Sequence, residues 1–190
     1  GLVFESGGKM KSILGALLVG AFLLSSCQGQ AAEPKAAPQS TAPANPDATL
    51  PPMPAMANEF TREGASVFVR HYVEVLEYAD ATGDTNELEQ LSRKECEGCN
   101  EYINYFLELY RNGGFSSGSD WSTGVNEIRY QDRPGLESLV TTKLWISKSR
   151  GREKSYGEVK EFSSSIDTVT FGLIFDNGWT MNQFAFGGLN

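Results

Sequence analysis

Along "TREGASVFVRHYVEVLEYADATGD" the apolar side chains return every three or four positions, at Ala65, Phe68, Val69, Tyr72, Val75, Leu76 and Ala79. That spacing places them on one stripe of a helix. Thr61 is the predicted N-cap, and "TGD" at Thr82 to Asp84 the predicted stop. A short second helix is expected around Thr85 to Leu91, carrying Leu88 and Leu91. Ser92 with Glu95 fits a capping box ahead of a third helix. Its stripe is Cys99, Ile103, Phe106, Leu107 and Tyr110, and "NGG" from Asn112 ends it.

The period then changes. "VNEIRYQ", "LVTTKLWIS", "YGEVKEF", "DTVTFGLIF" and "WTMNQFAF" are rich in β-branched and aromatic residues. Turn signals separate them: "DRPG" at Asp132, "SRGRE" at Ser149 and "DNG" at Asp176. Short connections imply antiparallel pairing. The pattern predicts an α+β fold, with three N-terminal helices packed on one face of a curved antiparallel sheet of four or five strands.

The stretch ahead of this domain obeys other rules. After residues 1–9, expected to be a misplaced start or expression remnant, Met10-Lys11 leads into the apolar run "SILGALLVGAFLL". A stable membrane-spanning helix needs about twenty apolar residues, so this run has the length of a signal peptide's hydrophobic region instead. "LSSC" at Leu24 to Cys27 resembles the bacterial lipobox, which assigns 10–26 to a lipoprotein signal peptide and implies lipid on Cys27. Attachment through two or more acyl chains is effectively stable. The resemblance thus implies an extracytoplasmic protein on the outer face of the cytoplasmic membrane, where disulfides persist. Residues 27–57 hold seven of the chain's 8 prolines and little to bury, which predicts an extended tether. Residues 58–190 have the size of one domain.

The helix-then-strand order resembles NTF2-like (cystatin-like) or SnoaL-like cones, in which a long first helix and a bent sheet enclose a pocket and the last hairpin often carries a "GW" like Gly178-Trp179. From about Pro51 to Gly114, the Pro-rich lead, "EGA", "TGD", C-x-x-C and "GG" are similar to an uncharacterised family of actinobacterial lipoproteins, a domain of unknown function. That similarity implies a family and no activity.

Charge narrows the partners. The formal net charge is -8, essentially all of it between Asn58 and Tyr110. Phosphate binding needs clustered Lys and Arg, so nucleic acid is not an expected partner. The basic "KSRGREK" from Lys148 to Lys154 is expected at a hairpin tip, solvated or touching an anionic wall polymer or a protein. Besides the membrane held through Cys27, the partners expected are an envelope protein or cell-wall component. The oligomeric state is left open.

With Cys27 taken by lipid, Cys96 and Cys99 remain as a pair. A zinc site needs three or four ligands, and with a single histidine the chain would have to recruit carboxylates. A thioredoxin-like centre wants a strand-to-helix junction. Here Glu95, Glu97 and Glu101 disfavour a thiolate while a helix N-terminus favours one. The reading that fits best is a disulfide stapling the second and third helices, with no metal and no cofactor.

Chemistry leaves few traces. There is no G-x-S-x-G, no phosphate loop and no H-E-x-x-H. His71 sits on the flank of the first helix's stripe, with Asp84 and Asp120 as loose candidates for a partner. Phe68, Tyr72, Tyr102, Phe106, Tyr130, Trp145 and Trp179 are, with His71, the candidate lining of a cone pocket; the alternative is that the rings simply fill it. Two functions are therefore expected: a non-enzymatic binding or interaction module at the envelope, or a small-molecule binder with isomerase- or hydratase-like chemistry.

Overall fold

A computed structural model of the chain describes residue 45 and residues 47–188. The segments expected to be the signal peptide and most of the tether, with Cys27, lie outside the described residues.

Helix α1 spans Arg62–Thr82. Thr61 caps it, its Oγ1 accepting from the Gly64 N–H at 2.9 Å, and Gly83 closes it in the left-handed region at φ 75°. Helix α2 spans Asn86–Leu91 and α3 spans Glu97–Arg111. The capping box expected at Ser92 does not form. Cys96 is the N-cap of α3, with its Sγ accepting from the Cys99 N–H. Ser92 instead ends α2, and its Oγ shares a 2.9 Å hydrogen bond with the Tyr72 hydroxyl. Tyr72 is fully buried, so its hydroxyl needs that partner more than the helix end needs Ser92.

The strands form two antiparallel sheets, not the single sheet expected. The larger runs β2-β4-β7-β8, with β3 beside β4, using Trp121–Thr123 (β2), Glu127–Arg129 (β3), Glu137–Ile146 (β4), Ser165–Phe175 (β7) and Trp179–Phe186 (β8). The smaller runs β1-β5-β6, from Gly113–Ser117 (β1), Ser149–Lys154 (β5) and Lys160–Phe162 (β6). Both sheets are open. The basic stretch expected at a hairpin tip is therefore mostly strand β5. Gly151 permits this, because a Cβ there would lie 2.5 Å from the Phe115 carbonyl oxygen across the β1–β5 ladder.

Helix α1 packs against β1, β2 and β4, while α3 packs against β8, β1 and β5. The helices thus bridge both sheets, and the core lies beneath α1. Its centre holds Phe68, Tyr72, Leu76, Phe106, Phe171 and Leu173, each worth about 1.5–3 kcal/mol of burial for an aliphatic or phenyl side chain. Part of the segment expected as tether belongs to this fold: Ala57 is buried in a 3₁₀ turn at Ala55–Asn58, and Met53 packs on the core. No helix among the described residues is long and apolar enough to cross a membrane.

Candidate functional site

The aromatics expected to line a pocket separate into groups. Phe68 and Tyr72 are buried core. Tyr130 and Trp179 join Phe60 and Phe175 in a cluster whose ring centroids lie 4.8 to 5.6 Å from Phe60. Their polar ends are already satisfied: Tyr130 Oη donates to the Phe60 carbonyl at 3.0 Å, and Trp179 Nε1 to the Glu59 carbonyl at 2.9 Å. Trp145 lies on the outer face of the larger sheet, against Gly124 and partly exposed. Phe106 alone of these, with Tyr102, reaches an open cleft.

His71 is buried, and neither ring nitrogen has a hydrogen-bond partner among the described residues. Burial lowers its pKa below 6.5, opposed by the charges of Glu74 and Glu87. Glu74 Oε2 approaches Nδ1 only to 3.9 Å. The two aspartates considered as partners serve elsewhere. Asp84 Oδ1 accepts from the Asn86 N–H and side-chain amide in the turn before α2, and Asp120 is exposed beside β2.

The open cleft lies among α1, α3 and both sheets, with a volume of about 240 Å³. Tyr102, Phe106 and Trp121 form its inner wall, and the half-exposed rings of Tyr105 and Phe162 flank it. At its base is Asp80, only 6 % exposed. Ser116 Oγ donates to Asp80 Oδ2 at 2.9 Å, Ser119 Oγ donates to the same oxygen, and Tyr110 Oη donates to the Asp80 carbonyl at 2.8 Å. Oδ1 makes no hydrogen bond with any described residue.

Burial raises the Asp80 pKa, while the donors Ser119 and Ser116, and the nearby Trp121, pull it back. Trp121 Nε1 lies near enough to favour the carboxylate but reaches no acceptor at hydrogen-bonding geometry. Asp80 also stands in the last turn of α1, where the helix macrodipole disfavours negative charge. Neighbouring Glu77 is likewise raised, first by burial, although it accepts from the Trp121 backbone N–H at 3.1 Å. Burial and then the negative charges of Asp167 and Glu101 push the Tyr102 hydroxyl up to about 12. Arg152, from β5, supplies the opposite charge to the cleft: its guanidinium lies 5.3 Å from the Phe115 ring centroid, and its Nε is buried without a partner.

The α1 stripe read from the sequence ends at Ala79, one residue short of Asp80. Its signal was nevertheless present, as a carboxylate four residues after Leu76, at a position the 3.6-residue period assigns to the core. Another depression, about 490 Å³ beside the Cys96–Cys99 disulfide, is edged by Glu95, Glu97, Glu101 and Glu137 and is wide open to solvent. Among the described residues, no group of three or more His, Cys, Asp or Glu side chains could hold a metal ion.

A domain of three helices laid across two open antiparallel sheets, with an aromatic cleft over one buried carboxyl, defines the class structurally. The chain belongs to the family of unknown function DUF6318, whose profile matches residues 35–184. No curated protein matches it.

Proposed function

We propose that the protein is a lipid-anchored, extracytoplasmic binding module that holds a small envelope ligand in the Asp80 cleft without turning it over. The observation carrying the binding role is a buried carboxyl with one free oxygen, facing an aromatic-walled opening instead of a packed core. Small-molecule sites combine this apolar enclosure with a few convergent polar groups. The lipobox-like "LSSC" supports the address, and the bonded Cys96–Cys99 pair suits an oxidising compartment. Helices preceding antiparallel strands, with α1 long and α3 beside it, support an NTF2-like ancestry for the fold. On this reading the space a cone pocket would occupy around Tyr72 and Trp179 is filled by side chains, and the ligand is taken in the Asp80 cleft instead.

A second reading is favoured by the raised Asp80 pKa: acid–base turnover of the hydratase or isomerase kind, for which a carboxyl shifted toward neutrality is suited. The first reading is preferred because the chain's one histidine does not line the cleft and Asp80 is held by two serines.

Two measurements test this. Acyl labelling in cells should mark the wild-type chain and not Cys27→Ser, and an unlabelled wild type removes the address. A thermal-shift screen of small metabolites on the full chain should yield stabilising compounds whose effect Asp80→Leu abolishes. Consumption of such a compound by the purified protein selects the enzymatic reading.

A further inference from the structure

The chemical class of the ligand follows from two charges that have no partner. This rests on the cleft being a binding site. Asp80 and Arg152 both face it, with the exposed Glu153 in water at its edge, yet among the described residues the one acid–base contact within 4.0 Å is His71–Glu74. Asp80 is buried and Arg152 partly so, with its Nε enclosed, and charges withdrawn from water are ordinarily paired, because losing hydration without a counter-charge is costly. Asp80 has no cationic partner, and both hydrogen bonds to its carboxyl fall on Oδ2, leaving Oδ1 available. Arg152 has no carboxylate partner, and its Nε is an orphaned donor. Strand pairing holds it in place, since Arg152 is registered opposite Phe115, whose ring its guanidinium overlies.

A ligand carrying only positive charge would meet Asp80 but be repelled by Arg152. One carrying only negative charge would meet Arg152 but be repelled by Asp80. A molecule with both satisfies each, and the rings between them take an apolar body. The volume, about 240 Å³, lies below the roughly 300–1,000 Å³ of sites for drug-sized ligands and suits a metabolite. We infer that the cleft receives a small zwitterion of the α-amino-acid type: Asp80 takes its ammonium group, Arg152 its carboxylate, and Tyr102, Tyr105, Phe106 and Phe162 its apolar portion.

The three tryptophan indole N–H signals provide the test, because Trp121 lines the cleft while Trp145 and Trp179 do not. The full chain is titrated with L-phenylalanine, with phenethylamine (ammonium only) and with 3-phenylpropionate (carboxylate only). Phenylalanine is expected to move Trp121 saturably, with both single-charge probes roughly tenfold or more weaker. Asp80→Asn should erase the preference over phenylpropionate, and Arg152→Gln the preference over phenethylamine; unmoved Trp145 and Trp179 signals report intact folding. A single-charge probe that binds as tightly as phenylalanine overturns the zwitterion while leaving the binding site standing. The same holds if only neutral fragments move Trp121. If neither the probes nor a neutral fragment set moves Trp121, the binding role falls as well.

Discussion

Ser116 Oγ reaches Asp80 Oδ2 at 2.9 Å, joining the first strand of the smaller sheet to the last turn of α1 across 36 positions of sequence. The bond orients a carboxyl whose pKa burial raises and this donor draws partly back. Sites of this kind are held at a cost to stability.

Replacing Asp80 by Asn should therefore stabilise the fold near neutral pH. A raised folded pKa gives a contribution that is whole below the unfolded value of about 3.9 and lost as pH rises through the folded value. The difference in urea midpoint, Asp80→Asn minus wild type, should grow with pH from 4 upward. A difference independent of pH would show that the Asp80 proton is not linked to folding.

His71 titrates in the opposite sense. Its pKa is lowered, so the unfolded chain takes up the proton first, and stability falls as pH drops below about 6.5 toward the folded value. Removing two unpartnered buried nitrogens avoids a desolvation cost of about 1–3 kcal/mol. His71→Leu should accordingly match or exceed wild-type stability at pH 7 and flatten the melting temperature between pH 7.5 and 5. A loss of several kcal/mol at pH 7 would instead mean that the imidazole is paired in solution.

Gly98 is a packing requirement where α3 meets β8. A Cβ there would sit 1.9 Å from the Phe184 carbonyl oxygen, which is backbone and cannot rotate away. Gly98→Ala should cost about 1–3 kcal/mol or more through overpacking, read as a shifted denaturation midpoint with an unchanged slope.

The Cys96–Cys99 bond closes a very short loop at the α3 N-cap. Opening it should cost about 2 kcal/mol on the chain-entropy scale. Cys96→Ser/Cys99→Ser, which keeps a side-chain acceptor at the cap, should lose no more than reduction of the wild type does. Denaturation with and without reductant checks this.

Much of the helical half was legible because its signals are local. Thr61 and Gly83 bound α1 as their chemistry demands, and the stripe from Ala65 to Ala79 is buried as its period requires. The long strands β4, β7 and β8 likewise announce themselves by β-branched and aromatic residues. Strands β1 and β5 do not. "GGFSS" and "SRGREK" have turn-like or charged compositions, and they become strands only because each completes the other's hydrogen bonds.

The sequence by itself determined the helices, their order before the strands, and the pairing of two neighbouring cysteines, because those depend on spacing along the chain. Only the tertiary structure decided which aromatics are spent in the core and which face the cleft. Tyr72, Tyr130 and Trp179 look alike in one dimension to Tyr102 and Trp121. The difference arises when a second sheet lifts away from the first, leaving Asp80 and Arg152, separated by 72 positions, as walls of one opening.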